Sequence, residues 1–253
     1  MASSNNSSVP QGIGEDRPRV IVRARFPGKN QPPKELHYFC LQVLGELPRL
    51  LLEVSQTPYD SIMYFGKGEY KEFAPFGQLP VYKGPELGGL LLAQSDAVSK
   101  HIARETGLAG STATERAIQD MAWELGKDIS SKRDKIHENE LDARFASVLE
   151  GANKMLKNSK GPYFGGSKLG YGDVGVFHAL YTIDQIKTGF LKPWAELEKF
   201  VKMMVSLPAI CQYLSSARRV PLTKNEIGKG HTGVSGYTYL KPLHPLTIKE
   251  NYD

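Results

Sequence analysis

The feature that most constrains this 253-residue chain is a change of hydrophobic period near residue 110. Before it, short apolar runs alternate with helical patterns. After it, no strand pattern is found as far as about residue 214, and apolar groups recur at helical spacing. A chain that switches in this way is expected to fold as a small α/β layer followed by an all-helical block.

Several short stretches carry that reading. ELHYFCL (35–41) and YDSIMYF (59–65) read as strands, with a helical pattern of Leu47, Leu50, Leu51 and Val54 between them. GEYKEF reads as a short helix or turn. LPVYKG and GLLLAQS read as an antiparallel pair, and SDAVSKHIARE as a helix capped by Ser95. The block 34–107 is therefore β-α-β-α-β-β-α, with one mixed sheet. After GLAGSTAT, helices are expected from 114, over 141–156, over 173–186, over 194–205 and over 208–214. The helix at 173–186 is apolar nearly all round and is expected to be buried. RVIVRARF (19–26) alternates weakly and fits a strand beside this sheet, before PGKNQPP breaks the chain. The expected organisation is an N-terminal extension (1–33), an α/β domain (34–107), an all-helical domain (114–217) and a C-terminal extension (218–253).

Charge lies mainly at the ends. Residues 1–33 carry five Lys/Arg against two Asp/Glu, and residues 218–253 carry six against three, so the body of the chain is nearly neutral. A nucleic-acid-binding core would concentrate positive charge on a folded face, and this chain does not. Basic terminal arms, able to meet a protein partner, are the better expectation. The C-terminal arm keeps Tyr237, Tyr239, Leu240, Leu243, Leu246 and Ile248, and is expected to pack in an extended form. No window reaches the ~18 apolar residues of a membrane span. The two cysteines, Cys40 and Cys211, make no disulfide framework, so the cytoplasm is the default compartment, with a plastid as the alternative that the Ser-rich start raises. The six histidines show no metal-ligand spacing, and no metal is expected.

The order of elements, with LHYF at the first strand, PFGQLPV before the third, LLAQSDAVSKHIARETGLAG, ERAIQD and YFGG…GYGDVGVFHAL, resembles the cytosolic glutathione transferases, most closely the sigma type, which includes the glutathione-dependent prostaglandin D synthases. The resemblance covers about residues 35–222. It implies a thioredoxin-like glutathione-binding domain over 34–107 and a dimeric glutathione S-transferase. Such an enzyme conjugates or isomerises small apolar electrophiles, with glutathione as co-substrate, and its usual task is detoxification.

Residue by residue, the resemblance implies that the hydroxyl of Tyr38 stabilises the glutathione thiolate. A thiol of pKa ~8.5 is only a few per cent ionised at neutral pH, so such a donor matters. Pro80 is implied to be cis, turning the backbone of Leu79 towards the cysteinyl backbone of glutathione like an added strand. Gln94 and Ser95, at a helix N-terminus, are implied to hold the γ-glutamyl carboxylate. Lys71 is implied to meet the glycyl carboxylate, and Asp120, from the partner subunit, the γ-glutamyl ammonium. Phe39 adjoins the glutathione site, and Phe39, Leu44 and Gly45 line part of the acceptor pocket.

Three departures stand out. The family's arginine after the strand is Leu44, its tryptophan four residues before the lysine is Lys67, and the Ser/Thr capping the buried helix is Gly170, a weaker cap. Loss of the arginine removes a cation beside the thiolate. A second expectation therefore stands beside the enzyme: a catalytically weak member of the fold serving as a binding or assembly subunit. Cys40, two residues beyond Tyr38, is expected to be a buried small apolar group, with a nucleophile as its alternative.

Overall fold

The computed structural model describes residues 19–64, 70–133, 143–220 and 222. The positions of Lys67, residues 1–18, and residues 223–253 with their tyrosines and leucines lie outside the described residues.

The weak alternation near the N-terminus does form a strand, β1 (Arg19–Ala24), with Val20, Val22 and Ala24 buried and Arg19 and Arg23 exposed. It runs antiparallel to β3 (Tyr59–Tyr64), which runs parallel to β2 (Lys34–Phe39). Antiparallel β4 (Val81–Lys83) and β5 (Leu92–Ala93) complete a mixed sheet in the order β1-β3-β2-β4-β5. Covering the edge of β3 with β1 removes an exposed row of backbone donors and acceptors.

Strand β2 ends at Phe39. The Cys40 amide makes a last bond to Tyr64 O (3.0 Å), and the Leu41 amide then folds back on Phe39 O (2.7 Å). This tight turn removes residues 40 and 41 from the strand expected there. Helix α1 (Val43–Val54) begins two residues before the expected Gly45. It buries Leu50, Leu51 and Leu52. Among the described residues between β3 and β4 there is a short turn of helix, α2 (Tyr70–Phe73). Helix α3 (Ser95–Glu105) follows β5 after the single residue Gln94, so Ser95 is its first helical residue and not the residue ahead of it.

The chain divides into two compact units. One holds the described residues up to Val98 together with those from Tyr213 onwards; the other is Ser99–Gln212. The division falls within α3, and residues 213–220 belong with the sheet. In the first unit the core comprises Val22, Cys40, Leu41, Met63, Val81 and, from the far end of the sequence, Val220.

The second unit is helical: α4 (Ala113–Ser131), α5 (Ala143–Asn158), α6 (Tyr171–Ile186), α7 (Ala195–Ser206) and the start of α8 (Pro208–Ser215). A capping box opens α4, one residue earlier than the expected start. Thr112 Oγ1 accepts from the Glu115 amide (3.1 Å), and the Glu115 carboxylate accepts from the amides of Thr112 (3.1 Å) and Ser111 (2.7 Å). Helix α6 is buried along most of its length, with Val174, Val176, Phe177 and Leu180 at 0% exposure.

Gly170 precedes α6, and its cap is not weak. Gln119, on α4, does the work of the expected hydroxyl: its side-chain oxygen accepts from the Gly172 amide (2.9 Å). A Cβ on Gly170 would lie 2.1 Å from Gln119 Cδ, so glycine makes room for the replacement cap. Asp173 completes the helix start, accepting from the amides of Gly170 (2.9 Å) and Phe164 (2.8 Å) and from the Gln119 side chain (3.1 Å). Burial nevertheless pushes the pKa of Asp173 up.

Candidate active site

The sheet register gathers most of the expected site at one end of the first unit. His37 pairs with Val81, so Tyr38 and Phe39 run on beside Pro80 and Leu79. Val81 pairs with Ala93, which brings Pro80 beside Gln94 in turn. The Leu79–Pro80 bond is cis. Lys71 sits on α2, whose neighbouring Tyr70 packs its ring edge-on against Phe39 at 5.4 Å and Tyr64 at 5.6 Å.

Tyr38 is 3% exposed, and the N-terminus of α1 closes over it. The Leu44 amide donates to its hydroxyl oxygen at 3.2 Å. Gly45 lies against its ring: a Cβ there would stand 2.3 Å from Tyr38 Cδ1. Phe39 stands beside it, the two rings 5.5 Å apart. The Arg49 guanidinium lies 5.9 Å from the centre of the Tyr38 ring. Leu44, by contrast, keeps 48% of its surface exposed, large for a leucine. Thus the strand supplies the tyrosine, the helix start supplies a donor to its oxygen, and an uncovered apolar side chain adjoins them.

Gln94 takes φ +73°, a left-handed conformation costly for a residue with a Cβ. Such strain is worth about 1–3 kcal/mol and collects at functional sites. It sits where β5 turns into α3, whose first-turn amides lack partners within the helix. Ser95 and the following residues present those amides, and a carboxylate suits them.

Asp120 belongs to the second unit. On α4 it accepts a short hydrogen bond from the Tyr171 hydroxyl, and Lys100 Nζ lies 3.5 Å from the same carboxylate oxygen. The sequence reading did not foresee that Asp120 would have these partners within its own chain. Cys40 is completely buried, which suits a small core group and leaves no access for a nucleophile. Among the described residues no group of His, Cys, Asp and Glu is arranged to hold a metal ion, and no helix is long and apolar enough to cross a membrane.

Comparison with known proteins shows what the chain as a whole is similar to. Residues 120–217 match the family model described as glutathione S-transferase, C-terminal domain. "Glutathione S-transferase 4" of Caenorhabditis elegans is 29% identical over 212 residues, covering 74% of this chain and 98% of its own length. The chain has the glutathione S-transferase fold, and over residues 120–217 it is similar to that family's C-terminal domain. "Glutathione S-transferase P 10" of the same organism is 26% identical over 207 residues, 78% of this chain and 97% of its own. Among solved structures, the Pi-class glutathione S-transferase of Onchocerca volvulus superposes with a TM-score of 0.68 at 24% identity, covering 77% of this chain and 99% of the other. Rat hPGDS complexed with a quinoline gives 0.61 at 22%, covering 72% and 96%. At these identities the two structures speak for the glutathione S-transferase fold alone.

The sequence reading missed Arg49 and Gln119. A lysine or arginine on a helix is ordinarily read as solvated, and nothing in the periodicity of α1 marks Arg49 as buried. It is 0% exposed and donates to the carbonyls of Leu41 (2.8 Å) and Phe39 (3.3 Å) and to Ser61 Oγ (3.2 Å).

Proposed function

We propose that this protein is a glutathione S-transferase of the sigma type that joins glutathione to small apolar electrophiles, or isomerises them, through a thiolate held by Tyr38. The observation that carries the reading is the Leu44 amide donating to the Tyr38 hydroxyl oxygen. A phenol that accepts a hydrogen bond becomes a better donor through its own proton. The helix start behind it adds a favourable dipole for a nearby anion. Glutathione would lie along the sheet end. Its cysteinyl backbone would pair with Leu79, and its γ-glutamyl carboxylate would meet Gln94 and the first turn of α3. Its glycyl carboxylate would meet Lys71, and Asp120 of a second copy would take its ammonium.

The chemistry balances simply. The bound thiol gives its proton to water; the thiolate donates an electron pair to the electrophilic carbon; a C–S bond forms, and either a leaving group departs with its electrons or a π-bond opens and the resulting carbanion takes a proton back from water. Leu44 and Gly45 face the acceptor, and the exposed leucine favours an apolar one. In isomerisation the C–S bond forms and later breaks, returning the thiolate. A two-fold dimer in the cytoplasm fits the cross-subunit role of Asp120.

Leucine in place of the family's arginine favours a second reading, a protein that binds glutathione but turns over slowly and serves assembly. One assay separates the two. Initial rates with glutathione are measured over a panel of aromatic and enone electrophiles. Conjugation well above the uncatalysed rate supports the enzyme. Glutathione binding without turnover on any member supports the binding subunit.

A further inference from the structure

Residues 213–220 fold back onto the first unit and grip α1 at three points. Arg218 makes a two-pronged ion pair with Glu53 (2.8 and 2.9 Å), whose carboxylate also accepts from the Tyr59 hydroxyl (3.0 Å). Arg219 reaches Glu46 at 3.3 Å, where the Tyr213 hydroxyl (3.1 Å) and Arg49 (3.3 Å) converge. The side-chain amide of Gln42 donates to the Val220 carbonyl at 2.6 Å. Gln42, Glu46, Arg49 and Glu53 are all at most 1% exposed. Buried charges of this kind add little net stability, but losing one partner strands the other, so the arrangement is held to a single geometry.

The turn gripped from this side is also gripped from within. Arg49 holds the carbonyls of Phe39 and Leu41. Immediately after the gripped residues comes Val43 at φ +23°, a sparsely populated conformation for a β-branched residue. Backbone strain of this kind persists only where the surroundings over-determine it. The next residue is Leu44, whose amide meets Tyr38.

We propose that residues 213–220 are a positioning element for Tyr38: by seating the Val220 carbonyl against Gln42, they hold the turn at Val43 that aims the Leu44 amide at the tyrosine hydroxyl. The inference rests on the reading of Tyr38 as thiolate partner and extends it, making Gln42 and Arg219 positioning residues for the reaction. The basic start of the C-terminal segment is then an internal clamp, its two arginines spent on buried glutamates.

The test uses the full chain with Gln42→Met, which keeps the length of the side chain and removes the donor. Arg219→Gln and its conservative partner Arg219→Lys serve as the second set. Without glutathione, amide exchange is followed by NMR at Leu44 and, as a control, at Met63 in β3. Leu44 should exchange about tenfold faster in Gln42→Met and Arg219→Gln, which corresponds to ~1.4 kcal/mol, with Arg219→Lys restoring protection and Met63 unchanged. With glutathione, the bound thiol pKa, read from thiolate absorbance, should rise by about half a unit to one unit while affinity stays within about threefold. Unchanged Leu44 exchange in folded Gln42→Met overturns the clamp. Faster exchange with an unchanged thiol pKa overturns its role in positioning, provided Tyr38→Phe does raise that pKa. If Tyr38→Phe also leaves the pKa alone, the reading of Tyr38 is what fails, and the Leu44 exchange still decides the clamp.

Discussion

The ring of Tyr38 and the backbone of Gly45 are in such close approach that a single added carbon at Gly45 would sit 2.3 Å from the ring. The tyrosine and the start of α1 are therefore fitted to each other, and the fit leaves no slack in the direction of the helix.

Gly45→Ala should accordingly displace the ring or the helix start. Turnover is expected to fall by about tenfold or more, since ~1.4 kcal/mol suffices for that. The helix propensity of alanine works in the opposite direction, by up to ~1 kcal/mol. Kinetics alongside thermal melting separate the two effects: a stable but slow variant is expected, and a variant as fast as the parent would mean that the ring has room to move.

Leu44→Arg restores a cation beside the thiol. The side chain at this position is half uncovered, so the longer arginine has space. The pKa of bound glutathione should fall, because a nearby positive charge favours the anion. Titration of thiolate absorbance in the complex measures it, and an unmoved pKa would show that position 44 points away from the sulfur.

His37 gives a pH dependence to stability. Its ring lies between Tyr64 (3.0 Å) and Glu35 (3.2 Å), with Lys83 and Arg19 also acting on it, and burial holds its pKa below the ordinary 6.5. A histidine whose folded-state pKa is depressed binds its proton less readily when folded. Its contribution is fully present above the unfolded pKa and is lost as pH falls through 6.5 towards the folded value. Melting temperature should therefore drop on acidification below pH 6.5, and less steeply in His37→Phe. Parallel curves for the two proteins would remove His37 as the cause.

What the sequence made legible follows a physical division. Periodic burial announces itself, so the strands read at 35–41 and 59–65 and the mostly buried helix read at 173–186 were visible from apolar spacing. The turn at Cys40 was not, because it is fixed by a guanidinium arriving from a helix face and by an amide bending back, neither of which leaves a period. The cap of α6 was misread for a similar reason: Gly170 is a poor cap by its own chemistry, and the group that replaces it comes from 51 positions earlier, in Gln119. The same holds for Arg218 and Arg219, which read as tail charge and are bound to Glu53 and Glu46. The strand that carries Tyr38 was legible as a motif, whereas the donor to its oxygen became visible only in the fold.

The most direct measurement is the ionisation of glutathione bound to the parent protein and to Tyr38→Phe, followed by thiolate absorbance across pH. The account predicts a bound thiol pKa well below ~8.5 in the parent, a rise of at least about one unit in the variant, and little change in glutathione affinity. The same variant should turn over electrophiles tenfold or more slowly, by the ~1.4 kcal/mol that one unit represents. A pKa that is depressed equally in both proteins would contradict the assignment of Tyr38 as the group that holds the thiolate.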